Sequence, residues 1–98
     1  MALYTVLSRF TEQGARNIKE TVHRAEALEA QCRKLGITIK SMHWTSGAYD
    51  IVAQFDAPDE KSLAVLGLAL TAQGNVRTVE VLPSFTRDEI SMLIGKLP

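Results

Sequence analysis

Four side chains able to move a proton or grip a flat ligand fall between positions 43 and 50: His43, Trp44, Tyr49 and Asp50. A histidine beside an acid can act as a general base near neutral pH, which makes His43 and Asp50 candidate catalytic residues. Their spacing sets them across a hairpin from each other. The competing reading is a surface strand histidine and an aspartate that fixes the turn, since no third catalytic partner is evident. Trp44 and Tyr49 can stack on a planar ligand, although such residues more often fill a core or an interface. Gln54, Thr78 and Glu80 are further candidate ligand-binding positions, and Arg77 and Lys40 are polar groups able to line a cleft or pair across strands. His23 reads as part of a solvated helix face. His23, His43 and Asp50 lack the close histidine spacing of a metal site, so no metal is expected. Cys32 reads as a small buried hydrophobe, not a nucleophile. The six glycines are scattered singly and form no phosphate-cradling loop, so no cofactor is expected.

The elements that must position these groups follow from periodicity. Leu3 to Phe10 is rich in β-branched and aromatic residues and reads as a strand with both faces covered. Thr11 can cap a long helix whose stripe is Ala15, Ile18, Val22, Ala25, Leu28, Cys32 and Leu35, with Gly36 as its stop. Ile37 to Thr45 is a second strand, Ser46-Gly47 a tight turn, and Tyr49 to Asp56 a third strand. Its alternation sends Tyr49, Ile51, Ala53 and Phe55 toward the helices and Asp50, Val52, Gln54 and Asp56 to the other side. A second helix starts near Asp59, runs through Leu63, Leu66 and Leu70, and ends at Gly74-Asn75. Val76 to Leu82 is the fourth strand. Thr86 and Glu89 then form a capping box, with Phe85 and Ile90 as a hydrophobic staple, opening a short helix to about Lys96.

Composition narrows the class. Ninety-eight residues, 46% hydrophobic and 22% charged, predict one globular domain spanning residues 1–98. Eleven basic and eleven acidic residues cancel, which argues against nucleic-acid or anionic-membrane partners. One cysteine excludes an internal disulfide framework. The N-terminus shows no basic, apolar leader, and the longest apolar run, Leu63 to Leu70, is too short to span a bilayer. A cytoplasmic setting is the expectation.

The order β-α-β-β-α-β with a trailing helix predicts an α+β, ferredoxin-like fold. Right-handed crossovers put both long helices on one face of a four-stranded antiparallel sheet. The other face is then bare, and Val52 lies on it. Each large apolar side chain left wet there forgoes roughly 1.5–3 kcal/mol. A second copy would cover it, so a homodimer or higher closed oligomer is expected, with the last helix free to latch onto the partner or cover its own sheet edge.

Three blocks, Phe10 to Lys19, Trp44 to Val52 and Gly74 to Thr78, together resemble the GYD-domain family, with Gly47, Tyr49 and Asp50 as its naming residues. The resemblance runs from about Leu3 to Glu89. It implies a dimeric α/β barrel. Related barrels include small monooxygenases, decyclising enzymes, haem-degrading proteins and ligand-sensing domains, and fold alone does not choose among them. The family often has a proline near Thr21-Val22; its absence here leaves open whether the first helix bends. The reading is a small cytoplasmic homo-oligomeric module that binds a small molecule or a partner at its sheet face. The rival is a cofactor-independent monooxygenase- or isomerase-like enzyme using His43 and Asp50. A third option is a purely structural or assembly protein.

Overall fold

Strand β1, Ala2–Phe10, runs through the middle of the sheet. The computed structural model describes residues 2–98. After β1 come α1 (Glu12–Arg16), a 3₁₀ turn (Ile18–Glu20) and α2 (Thr21–Lys34). Then follow β2 (Thr38–Trp44), β3 (Ile51–Ala57), α3 (Glu60–Gln73), β4 (Val76–Ser84) and α4 (Arg87–Ile94). The sheet order is β2-β3-β1-β4, with every neighbouring pair antiparallel. This is the expected ferredoxin-like arrangement.

The core lies on one side of the sheet. Tyr4, Val6, Ala53, Phe55 and Ala57 project from the strands to meet Leu28 and Cys32 of α2 and Leu66 of α3. Burial pushes the Cys32 thiol up to about 11, with the Glu29 carboxylate adding to it.

The predicted long first helix is in fact two helices and a 3₁₀ turn, without any proline. Asn17 leaves helical geometry at φ −103° and ψ 31°. Its backbone N–H and its side-chain amide both donate to the Gln13 carbonyl oxygen, each at 3.1 Å. Local side-chain competition for backbone acceptors breaks the ladder there. The break shifts the helical phase, so Ile18 and Val22 leave the apolar stripe and lie 43% and 57% exposed. Thr11 caps α1 as expected, accepting from the Gly14 N–H at 3.1 Å. A methyl group at Gly14 would overlap the Asn75 carbonyl oxygen, so glycine lets α1 sit against the end of α3.

Two irregularities set which way the strands face. On β2, Ile39 pairs with Phe55 but Ser41 pairs with Gln54, leaving Lys40 as an extra residue. On β4, Glu80 pairs with Leu7 but Thr78 pairs with Ser8, leaving Val79 extra. A bulge of this kind reverses the alternation beyond it. The capping box of α4 is present: Glu89 N–H donates to Thr86 Oγ1 at 3.2 Å, and Thr86 N–H donates to Glu89 Oε1 at 3.0 Å. Every residue from Phe85 to Pro98 is exposed.

Candidate partner-binding face

Antiparallel partners share a face, so the register maps the side of the sheet opposite the core. Tyr4, Val6 and Ser8 are buried on the helix side; Leu3, Thr5, Leu7 and Arg9 therefore point the other way. Their register partners join them. One cross-strand row is His43–Val52–Leu7–Glu80. The next is Ser41–Gln54–Thr5–Leu82, and the next is Thr38–Asp56–Leu3–Ser84.

This face is polar and apolar in stripes, and its polar groups bind one another. Gln54 Nε2 donates to Thr5 Oγ1 at 3.3 Å, and the Thr5 and Ser84 hydroxyls lie 2.7 Å apart. Lys40 Nζ is 3.8 Å from Asp56 Oδ2. Between these pairs run Leu3, Leu7 and Val52, half-buried, and Leu82, 42% exposed. Among the described residues no helix packs across them.

The β2–β3 connection closes one end of the face. It is a six-residue loop, residues 45–50, where a two-residue turn was expected. Gly47, at φ 137°, takes the backbone angle that other residues avoid. The loop is fastened to β1 and β4. Asp50 N–H donates to the Ser8 carbonyl at 2.9 Å, and Asp50 Oδ2 accepts from the Phe10 N–H at 2.9 Å. Arg9 Nε donates to the Ala48 carbonyl at 2.6 Å, and its guanidinium lies 5.4 Å from the centre of the Tyr49 ring. Tyr49 then donates its hydroxyl to Glu80 Oε2 at 3.1 Å. That bond, and the charge of the Glu80 carboxylate, hold the Tyr49 hydroxyl above its ordinary range.

The candidate residues thus divide. His43, Gln54 and Glu80 lie on the open face, and Tyr49 reaches it from the loop. The expectation that Tyr49 points toward the helices with Ile51 and Phe55 is corrected: it lies before β3 begins, so strand alternation does not govern it. Thr78 lies on the helix side, opposite Ser8, because the Val79 bulge separates it from Glu80. Trp44 also turns to the helix side, where its Nε1–H donates to Thr21 Oγ1 at 3.0 Å. His43 pairs with Val52, and Asp50 is taken up by the Phe10 N–H, so no hydrogen bond links His43 to Asp50 among the described residues. His23 sits on α2, 3.9 Å from Glu26, across the sheet from His43. Sequence reasoning missed Arg9, Thr5 and Ser84. Their roles depend on register, and only the odd-numbered alternation of β1 pointed to the first two.

Two concavities lie on the helix side. One, of about 640 Å³, runs between α3 and β4; the smaller lies between α2 and α3 beside Trp44. No helix among the described residues is long and apolar enough to cross a membrane.

A glutamine synthetase and cystathionine beta-lyase binding protein of Thermus thermophilus is 28% identical over 86 residues, covering 85% of this chain and 90% of that protein. No solved structure gives a significant match. The GYD domain family model matches residues 4–94, nearly the whole chain and including the loop that clamps the sheet, and the chain therefore belongs to the GYD-domain family.

Proposed function

We propose that this chain is a single-domain, cytoplasmic, homo-oligomeric binding module that uses the open face of its sheet. The observation that carries the reading is the apolar strip Leu3, Leu7, Val52 and Leu82, flanked by polar groups that already satisfy one another. A surface with its own hydrogen bonds made can be covered without stranding polar atoms. A second copy lays the same strip against it, and a two-fold pairing is self-complementary. A small molecule would sit between two such sheets. The relative's name supports a second kind of partner, a folded enzyme bound by the assembled module. The cytoplasmic setting rests on the lone, buried Cys32.

The geometry favours binding over catalysis. Asp50 is held as a backbone acceptor, which is what a loop clamp needs and a general base does not. Native mass spectrometry of freshly purified chain tests the proposal. It should report a multiple of the 10.8 kDa subunit. A bare 10.8 kDa species at micromolar concentration, with nothing retained, would refute it.

A further inference from the structure

Helix α4 is amphipathic and firmly capped, and every one of its residues is exposed. Ile90, Leu93 and Ile94 are 42%, 43% and 59% exposed, and Leu97 beyond it is 71% exposed. A helix too short to hold itself by propensity needs a surface for its apolar stripe. The same chain carries an unfilled apolar groove between α3 and β4, of about 640 Å³, floored by Val6, Phe55 and Val81. Its α3 wall includes Gly67, where an added Cβ would meet no atom within 4 Å. Helix α3 is apolar nearly all round, yet Val65 and Leu68 lie 50% and 70% exposed. Helices of that kind are ordinarily covered on every side.

The chain's own α4 does not reach its own groove. Only Phe85 and Thr86 link β4 to α4, Thr86 is extended at φ −71° and ψ 169°, and the capping box fixes the departure. The molecule is accordingly long, 51 × 31 × 18 Å, with a radius of gyration of 14.7 Å. A compact chain of this length would have about 13 Å.

We propose that α4 is an exchange arm, docking in the α3–β4 groove of a second copy of this chain, which returns its own arm likewise. Charge sets the direction. Glu60, in the first turn of α3, stands at one end of the groove; the arm has Asp88 and Glu89 near its start and Lys96 past its end. Laid antiparallel to α3, the arm brings Lys96 to Glu60, whereas a parallel arm would set Asp88 and Glu89 against it. The arm from Asp88 to Lys96 spans about 12 Å and fits within the α3 wall from Glu60 to Thr71, about 16 Å.

This contact is separate from the open sheet face, and its test reads only the arm. Benzoylphenylalanine is placed at Leu93 of the full chain, ¹⁴N- and ¹⁵N-labelled protein are mixed, and photo-crosslinks are mapped by mass spectrometry. Mixed-isotope adducts should fall on α3 and β4 of the other chain. Gly67→Phe fills the groove and replaces a helix-interior glycine, so the fold is kept while adduct yield should drop at least about tenfold. Adducts confined to the same chain, adducts on β2 and β3 of the other, no inter-chain adduct, or a yield untouched by Gly67→Phe would each overturn the proposal.

Discussion

The two sides of this sheet are built from the same four strands and solve different problems. The helix side is dry: Tyr4, Val6, Ala53, Phe55 and Ala57 meet α2 and α3, and Ser8 is the one buried polar residue there among those described. The other side keeps an apolar strip but surrounds it with Gln54, Thr5, Ser84, Lys40 and Asp56, each bonded or paired to a neighbour on the same face. A core excludes polar groups; an interface that must also survive alone in water satisfies them in advance. The difference separates residues that hold the chain together from residues that join it to something else.

Substitutions should break this contrast in graded fashion. Phe55→Ala removes a large buried strand side chain of the dry side and should cost about 3–5 kcal/mol in urea unfolding. Asp50→Ala removes the acceptor that ties the loop to β1 and should cost about 1.5–3 kcal/mol, the range for a hydrogen bond to a charged group. Loss of activity without loss of stability at that position would instead revive an acid–base role. The smallest effect is a pH dependence. The buried Cys32 thiol titrates at about 11 when folded, against an ordinary 9.0. The unfolded chain therefore loses that proton first, and stability falls as pH rises from about 9 to 11. Urea midpoints should show a drop on the order of 1–2 kcal/mol across that window, and Cys32→Ala should flatten it.

The architecture was legible because its signals are local and periodic. The alternation of β3, the Thr86–Glu89 capping box and the Gly74 helix stop each follow from a few neighbouring residues. The break at Asn17 was not legible, since it turns on a side-chain amide competing for one carbonyl in a sequence that otherwise keeps a helical stripe. The face of Thr78 was illegible for a different reason. A bulge is a property of two strands in register, and nothing in Val76 to Leu82 marks Val79 as the extra residue. The site was read in part for the same cause: Gln54 and Glu80 followed from alternation, whereas Tyr49 is placed by a loop that strand periodicity does not describe and Trp44 by β2 beyond its Lys40 bulge.

The contrast between the faces is tested most directly by thiol labelling of Gln54→Cys, at the middle of the open face. Cys32 is 1% exposed and stays silent. At micromolar concentration the introduced thiol should react far more slowly than one placed at the exposed Glu26, and should speed up on dilution as subunits part. Equal rates at the two positions, unchanged by dilution, would show that nothing covers this face and would contradict the account.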